Sequence, residues 1–571
     1  MAVGLSGSPP PALAAATNRL RTLAPPRVLW EGKSEVVIGA PDVQLATASA
    51  PEPEAVTLCV GSIRLDDPLE LRSRFRVPAT VAPTDAALVL WLYQHHGRER
   101  LQTLRGDFTF VVWDGRLRRV FAATDALGVE TLAWRRIGEA LALATVPAAL
   151  AALDPVAPLD PGALRDYILE GPDAWSERTG FAGVRRLMLG RCLHADSDQA
   201  REDVGPRLVV PPERSAAAGE AVRRYFELFE RSIERRIPKS GRVATTLSGG
   251  LDSSSVTALV GRHLEREGQG RRVETFSWVF PGVPDQDESG YQRAVLAAVP
   301  CCTAVSIPAD EQWDYKNAFT EVGRHWSTDP NPALRQMSLY ESLMTAARGA
   351  QSLLVGDYSD QVLGAPVVPL LASQPLRQWP ARVRHHQRVR GRAVRPRQLL
   401  RALRGRFQHQ VSGHPTPMQR WVLKATVDPA AALTRAAFAG LGRRHGLELR
   451  YPFLDHDLLE YALALQGDLR QLGTHPHQKA LLREAMVGHL PDAVRLRTET
   501  RTLGHLNQRG WRLGRQLLKT IVRGTAVWDV TGLDPAEVGG LTYFRLTGRA
   551  SPAVVRLLQA EAFLQYALPG R

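Results

Sequence analysis

The stretch TTLSGGLDSSSVTALV, residues 245–260, sets a glycine pair, one aspartate and four serines between two apolar runs. The residues before it read as a strand (RVATTLS) and those after it as a helix, so the polar cluster falls at a strand-to-helix junction. In an open α/β sheet, ligands bind beyond the carboxyl ends of the strands. A helix N-terminus there offers unpaired N–H groups and about half a positive charge. Gly249 and Gly250 lack Cβ atoms and let phosphate oxygens approach the backbone, while Ser248, Ser253 and Ser254 add hydroxyl donors. Asp252 is the constraining residue. A carboxylate beside a polyphosphate repels it unless a divalent cation stands between them, which implies Mg²⁺. A Ser/Gly turn that merely caps a helix is the plainer alternative, and the complete run in its strand-loop-helix setting disfavours it.

The rest of the chain divides into two patterns. From about Pro26 to Leu150, short alternating runs (AVTLCVGSI, DFTFVVWD, RRVFAATD, EALALATV) recur with turns between them. These predict a strand-rich α+β domain, crossed by a helix that starts at Asp85. The stretch ADSDQAREDVGPRLVVPPERS, residues 195–215, reads as a linker. Beyond it, strands (RVATTLS, VETFSWVF, SLLVG) alternate with helices, as in a doubly wound parallel sheet, and from about Pro366 the chain reads as mainly helical. Asp287 and Glu288 are expected to cap the helix they open. At 571 residues two domains are the first expectation.

The formal charge of +14 suggests an anionic partner. Eleven arginines lie between Arg377 and Arg406, and no Asp or Glu occurs between Asp360 and Asp428. That stretch reads as a solvated helical face or as a docking surface for an acidic peptide or phosphates. The four cysteines, Cys59, Cys192, Cys301 and Cys302, show no zinc or dithiol spacing. Cys59 and Cys192 sit in strand-like runs and are expected in the core. A reduced, cytoplasmic protein is the simplest reading, and no apolar run reaches the roughly 18 residues that a membrane span needs.

The SGGLDSS run resembles the pyrophosphate-binding loop of ATP pyrophosphatases, which cleave ATP between its α and β phosphates and adenylate a substrate. Further stretches are similar, in order, to the asparagine synthetase superfamily: LRGDFTFVVWDGRLRRVFAATDALGVETLAW (104–134), LLVGDYSDQVLGA (353–365), LRYPFLDHDLLEYALAL (449–465) and KALLREAMVGHLPDAVRLR (479–497). The resemblance implies a degenerate glutaminase-like domain of the Ntn-hydrolase type over residues 1–205. An α/β PP-loop ATP pyrophosphatase domain with a helical C-terminal portion would follow over 206–571. It implies ATP and Mg²⁺ as cofactors, with Asp252 and Asp360 on the metal, Leu247 and Gly356 lining the nucleotide, and Asp357 near the substrate.

Two departures from that pattern shape the expected activity. Glutaminase domains of this kind carry a nucleophile, normally Cys, directly after Met1, and here that residue is Ala2. Alanine cannot attack an amide, so glutamine should not supply ammonia. Second, the family lysine that follows the LP..v..R segment is missing from RLRTETRTLG (495–504), and Arg495, Arg497 or Arg501 is expected to replace it, with Arg501 the first choice. An amine other than ammonia must then attack the adenylate. The resemblance is nearest to lasso peptide cyclases, which join a peptide's N-terminal amine to an Asp or Glu side chain. It implies a ribosomal precursor peptide, a leader-binding protein and a leader protease as partners, with no nucleic acid and no membrane. The alternatives are a β-lactam synthetase-like or ammonia-dependent small-molecule amide synthetase, a non-catalytic peptide-binding scaffold, and a tRNA-modifying enzyme.

Overall fold

The computed structural model describes residues 2–4, 27–31, 35–39, 44–48, 56–138, 140–153, 158–172, 177–326, 328–364, 366–390, 393–412, 415–466, 477–498, 503–523, 526–542, 544 and 550–568. Its N-terminal half holds two six-stranded antiparallel sheets. Thr57–Leu65, Gly106–Asp114 and Arg119–Thr124, three of the expected strands, lie side by side in one sheet. Ala140–Ala144 belongs to the other, between Leu132–Ile137 and Ala2–Gly4. Alternation explains the stacking. Leu58, Val60, Val111 and Trp113 of the first sheet face Leu132, Trp134, Leu141 and Leu143 of the second and close a dry core between them.

The opposite face of the first sheet takes helix Asp85–His96, whose Leu88, Val89 and Leu92 pack on Cys59, Phe108 and Phe110. The other sheet is covered by Pro147–Ala151, which packs on Leu132–Ile137 and Ala140–Ala144. The half is therefore four layers deep: helix, sheet, sheet, helix. The expected linker is shorter than its composition implied. Residues Ala200–Val204 form the edge strand paired with Arg191–Ala195, because alternation in AREDV still matches the pleat despite its charges.

The second half is built on a five-stranded parallel sheet in the order Cys302–Pro308, Val273–Val279, Val243–Thr246, Ser352–Leu354, Glu448–Arg450. Chain order reverses direction between Val243–Thr246 and Ser352–Leu354, so the crevice beyond those two strand ends is the topological switch point.

A buried ionic network joins the halves. Arg236, wholly enclosed at the end of helix Ala218–Arg236, meets Asp455 at 2.9 Å and Asp107 at 3.4 Å. Arg64 holds Asp66 and Asp107 at 2.8 Å each. Burial pushes the Asp66 and Asp107 carboxyls up, but Arg64 and then Arg236 outweigh it and hold both below the usual range. The stability they contribute is full above the ordinary carboxylate value of about 4 and is lost as pH falls through their lower folded values. Arg236→Met should destabilise the protein by about 1.5–3 kcal/mol, because Asp455 and Asp107 each lose one of two buried arginines while Arg235 and Arg64 still hold them. Chemical denaturation at neutral pH measures it, and a change under about 1 kcal/mol would show that the network carries little.

Candidate active site at the strand switch point

The two central strands end in loops that touch. Val243–Thr246 leads into residues 247–250 and helix Leu251–Glu267, and Ser352–Leu354 leads into Val355–Tyr358 and helix Ser359–Leu363. Gly356 is the contact point. A Cβ there would lie 2.6 Å from the Ser253 nitrogen and 2.8 Å from its Cα. Gly356→Ala is expected to part the loops and lower ATP-dependent activity about 10²-fold, the usual effect of misplacing catalytic groups by about 1 Å. Comparing turnover and melting temperature separates this from unfolding.

The glycine loop has the shape its sequence implies. Gly249 takes a left-handed φ of +84°, and a Cβ on it would meet Tyr291 at 3.0 Å. Ser248 donates its backbone N–H to the Ser253 hydroxyl at 3.0 Å, the two hydroxyls lie 2.9 Å apart, and Gly250 donates to Ser248 Oγ. Gly250 caps the helix without a side-chain bond, so the first-turn N–H groups stay open to an anion. Leu247 and Ser254 sit deeper. Both are fully buried, with Leu247 tied through its carbonyl to Ser277 Oγ at 2.6 Å.

Asp252 and Asp360 converge. Lys479 Nζ lies 2.5 Å from Asp252 Oδ2 and 2.8 Å from Asp360 Oδ1, so one ammonium bridges carboxylates from two strand tips. Burial pulls the lysine pKa down, but the two aspartates outweigh it and leave it raised. Lys479 caps helix Ala480–Ala485 with a left-handed φ of 54°, and Tyr358, capping the Asp360 helix, has φ 73°. Such backbone is uncommon at bulky residues and gathers at functional sites. Asp252 Oδ1 is buried and has no hydrogen-bond partner among the described residues. With Asp360 exposed beside it, this hard-oxygen pair fits Mg²⁺.

Beside the pair opens a cavity of about 450 Å³. Its walls include Tyr340, Tyr358, Phe438 and Tyr451, and its charged lining is Asp252, Asp357 and Asp360. Burial first, and Asp252 second, push the Asp357 carboxyl up to about 6. Behind the wall, buried Arg435 lies 5.1 Å over the Tyr358 ring and donates to the carbonyls of Leu127 and Gly128 in the N-terminal half.

The arginines proposed for the missing lysine divide. Arg497 ion-pairs with Glu288, sits 4.1 Å over Tyr291 and reaches the Gly249 carbonyl at 3.4 Å, which steadies the glycine loop. Glu288 stands at the N-cap position of helix Ser289–Ala298 but makes no side-chain cap bond, and its carboxylate pairs with Arg497. Asp287 accepts from the Phe280 N–H and from the hydroxyl and backbone N–H of Ser289, so it caps the start of the helix as expected. Arg495 pairs with Asp492. Arg501 lies outside the described residues. The cation at the carboxylate pair is Lys479, which the sequence reading overlooked. Only six of the 72 basic residues are lysines, and that scarcity of compact point charges was the available signal.

The family model for asparagine synthase matches residues 224–526. The chain belongs to the asparagine synthase family. A glutamine amidotransferase domain model matches residues 69–204, the two-sheet half. Amidase chyE of Penicillium rubens is 26% identical over 60% of this chain and 52% of its own length. Amidase chry2 of Gibberella zeae is 23% identical over 72% of each. A putative glutamine-hydrolysing asparagine synthetase of Mycobacterium tuberculosis is 30% identical over 52% of this chain and 45% of that protein. The chain thus spans about half the length of the first and third of these relatives. No helix among the described residues is long and apolar enough to cross a membrane.

Proposed function

We propose that the protein is an ATP- and Mg²⁺-dependent ligase that adenylates an Asp or Glu side chain of a ribosomal precursor peptide and joins it to the peptide's N-terminal amine as a macrolactam. The observation that carries the ligase reading is the pair Asp252 and Asp360 meeting at the mouth of a cavity whose charged lining is acidic. ATP, when bound, would supply AMP as a leaving group that turns the carboxylate into an acyl donor, and Mg²⁺ would neutralise the departing pyrophosphate. Asp252 and Asp360 would hold the ion, and Lys479 adds a positive charge where pyrophosphate charge develops. Gly249, Gly250 and the open N–H groups that follow cradle the phosphates, and Gly356 keeps the two loops in register.

The acidic cavity suits an incoming ammonium. Asp357, with its carboxyl near pH 6, stands ready to take the proton that the amine must lose before attack. Below about pH 6 Asp357 is protonated and cannot serve, so amide formation should rise as pH increases through about 6. Asp357→Asn should lose both rate and inflection, and an unchanged pH profile would remove Asp357 from this role.

Neither cysteine of the N-terminal half is poised to attack glutamine. Cys59 and Cys192 are fully buried in the sheets, and burial raises the Cys59 thiol and pushes Cys192 up to about 12. The amine therefore comes with the substrate. Holding both ends of one peptide in a single site supplies an effective molarity of about 10⁵ M or more. A leader-binding protein and a leader protease would be its partners. Lys479 at the carboxylate pair supports the catalytic reading over a non-catalytic scaffold. The test is incubation with ATP, Mg²⁺ and the precursor peptide. Each ring should yield one AMP and one pyrophosphate as the peptide loses one water. ADP as product would reject the proposal, and turnover of a free amino acid derivative without peptide would replace it with a small-molecule amide synthetase.

A further inference from the structure

Helix Pro396–Ser412 lies on helix Val367–Ala372, with Ala402 buried in the contact and Arg406 donating to the Gln374 carbonyl at 2.8 Å. Its other face is open. Leu400 is 67% exposed, Leu403 43% and Phe407 68%, at helical spacings of three and four, so they form one apolar stripe. Arg397, Arg401 and Arg404, at the same spacings, form a second stripe beside it. None of these three ion-pairs with a carboxylate among the described residues, and the chain has no acidic residue from Gln361 to Val427.

A solvated basic face looks different, and this protein shows one. On helix Ala218–Arg236, Arg223 and Arg224 share Glu227, and Arg266 of the neighbouring helix meets Glu230. On Pro396–Ser412 the unpaired arginines repel one another and three large apolar side chains face water, both of which a partner would relieve.

We propose that this face docks an acidic polypeptide segment carrying spaced apolar side chains, which, resting on the ligase reading, belongs to the peptide substrate away from its reacting carboxylate. Charge complementarity selects the acid, and the stripe beside the arginines selects a chain with apolar side chains over a bare phosphate backbone. The stripe is narrow, about a sixth of the helix circumference at 3.6 residues per turn, which suits a few side chains more than the broad apolar face of a helix lying in a membrane. The surface also connects to the site. Val367–Ala372 follows the Asp360 helix directly, and helix Pro417–Thr426 packs on both and contributes Ala425 to the cavity wall.

The probe is a fluorescent peptide of glutamate pairs separated by leucines and phenylalanines, titrated by anisotropy into the full-length protein. Saturable binding is expected, weakened by rising ionic strength and at least about tenfold by R397E/R401E/R404E and, separately, by L400S/L403S/F407S. Melting temperature should stay unchanged in both variants, and ATP–pyrophosphate exchange should keep its rate at saturating precursor peptide while the peptide concentration for half-maximal exchange rises at least about tenfold. A glutamine-for-glutamate version of the peptide should bind at least about tenfold more weakly. Absence of binding, indifference to either variant, or tighter binding of polyuridine or phosphatidylglycerol vesicles through the same residues would overturn the proposal. Because exchange is read independently, loss of this docking surface leaves the ligase reading standing, and loss of exchange in the parent protein condemns that reading alone.

Discussion

Asp252→Asn should reduce AMP formation by on the order of 10³-fold or more while the protein stays folded, because on the proposed mechanism it removes one of two carboxylates that would hold Mg²⁺ under the leaving pyrophosphate. The substitution keeps the side chain's shape, and Asp252 Oδ1 has no partner to lose among the described residues. Only the bond to Lys479 weakens. Asp360→Asn should act in the same direction but less, about 10²-fold, since Asp360 is largely exposed and water can stand in for part of its role. Quenched-flow or coupled pyrophosphate assays read the rate, and urea denaturation reads the fold. An Asp252→Asn protein that keeps more than about a tenth of the parent rate would take the carboxylate pair out of the reaction.

Lys479→Met should produce a different signature. In the resting protein the lysine ammonium occupies the place between the two carboxylates. Without it, Asp252 and Asp360 repel, and the metal-free protein should lose about 1–2 kcal/mol, discounted for the exposure of Asp360. The vacated oxygens are hard donors. Mg²⁺ added without ATP should therefore raise the melting temperature of the variant and leave the parent nearly unmoved. Amide formation should fall about 10²-fold, since a cation opposite developing negative charge is lost. If the variant's melting point ignores Mg²⁺ and its rate is unchanged, Lys479 is a spacer and the site's cation lies elsewhere.

The glycine loop and Asp252 were legible because one short run carries strand, turn and helix signals together, and local chemistry needs no distant partner to be read. Asp360 and Asp357 were legible through the family's motif order. Lys479 was not, because it lies 227 positions from Asp252 and only the sheet topology brings them together. Local pattern leads to a lysine only within residues 495–504, where the chain has none. Glu288 illustrates the same limit. Beside a helix start it reads as a cap, and only the fold reveals Arg497 as its partner. In the N-terminal half the strands were readable from alternation, but their division into two stacked sheets was not, since pairing is decided by which faces share a core. Residues 200–204 were mistaken for a linker because charge hides a strand whose edge faces water.

Arg435 ties the cavity to the N-terminal half. Its guanidinium closes on the Leu127 and Gly128 carbonyls while its flat face supports Tyr358. One unbroken apolar core runs from Leu127, Val129 and Tyr167 through to Val243 and Leu354. The cavity wall at Tyr358 is thus propped from the far side of the molecule, and a change that loosens the two-sheet half would tilt that wall without touching a residue that lines the cavity.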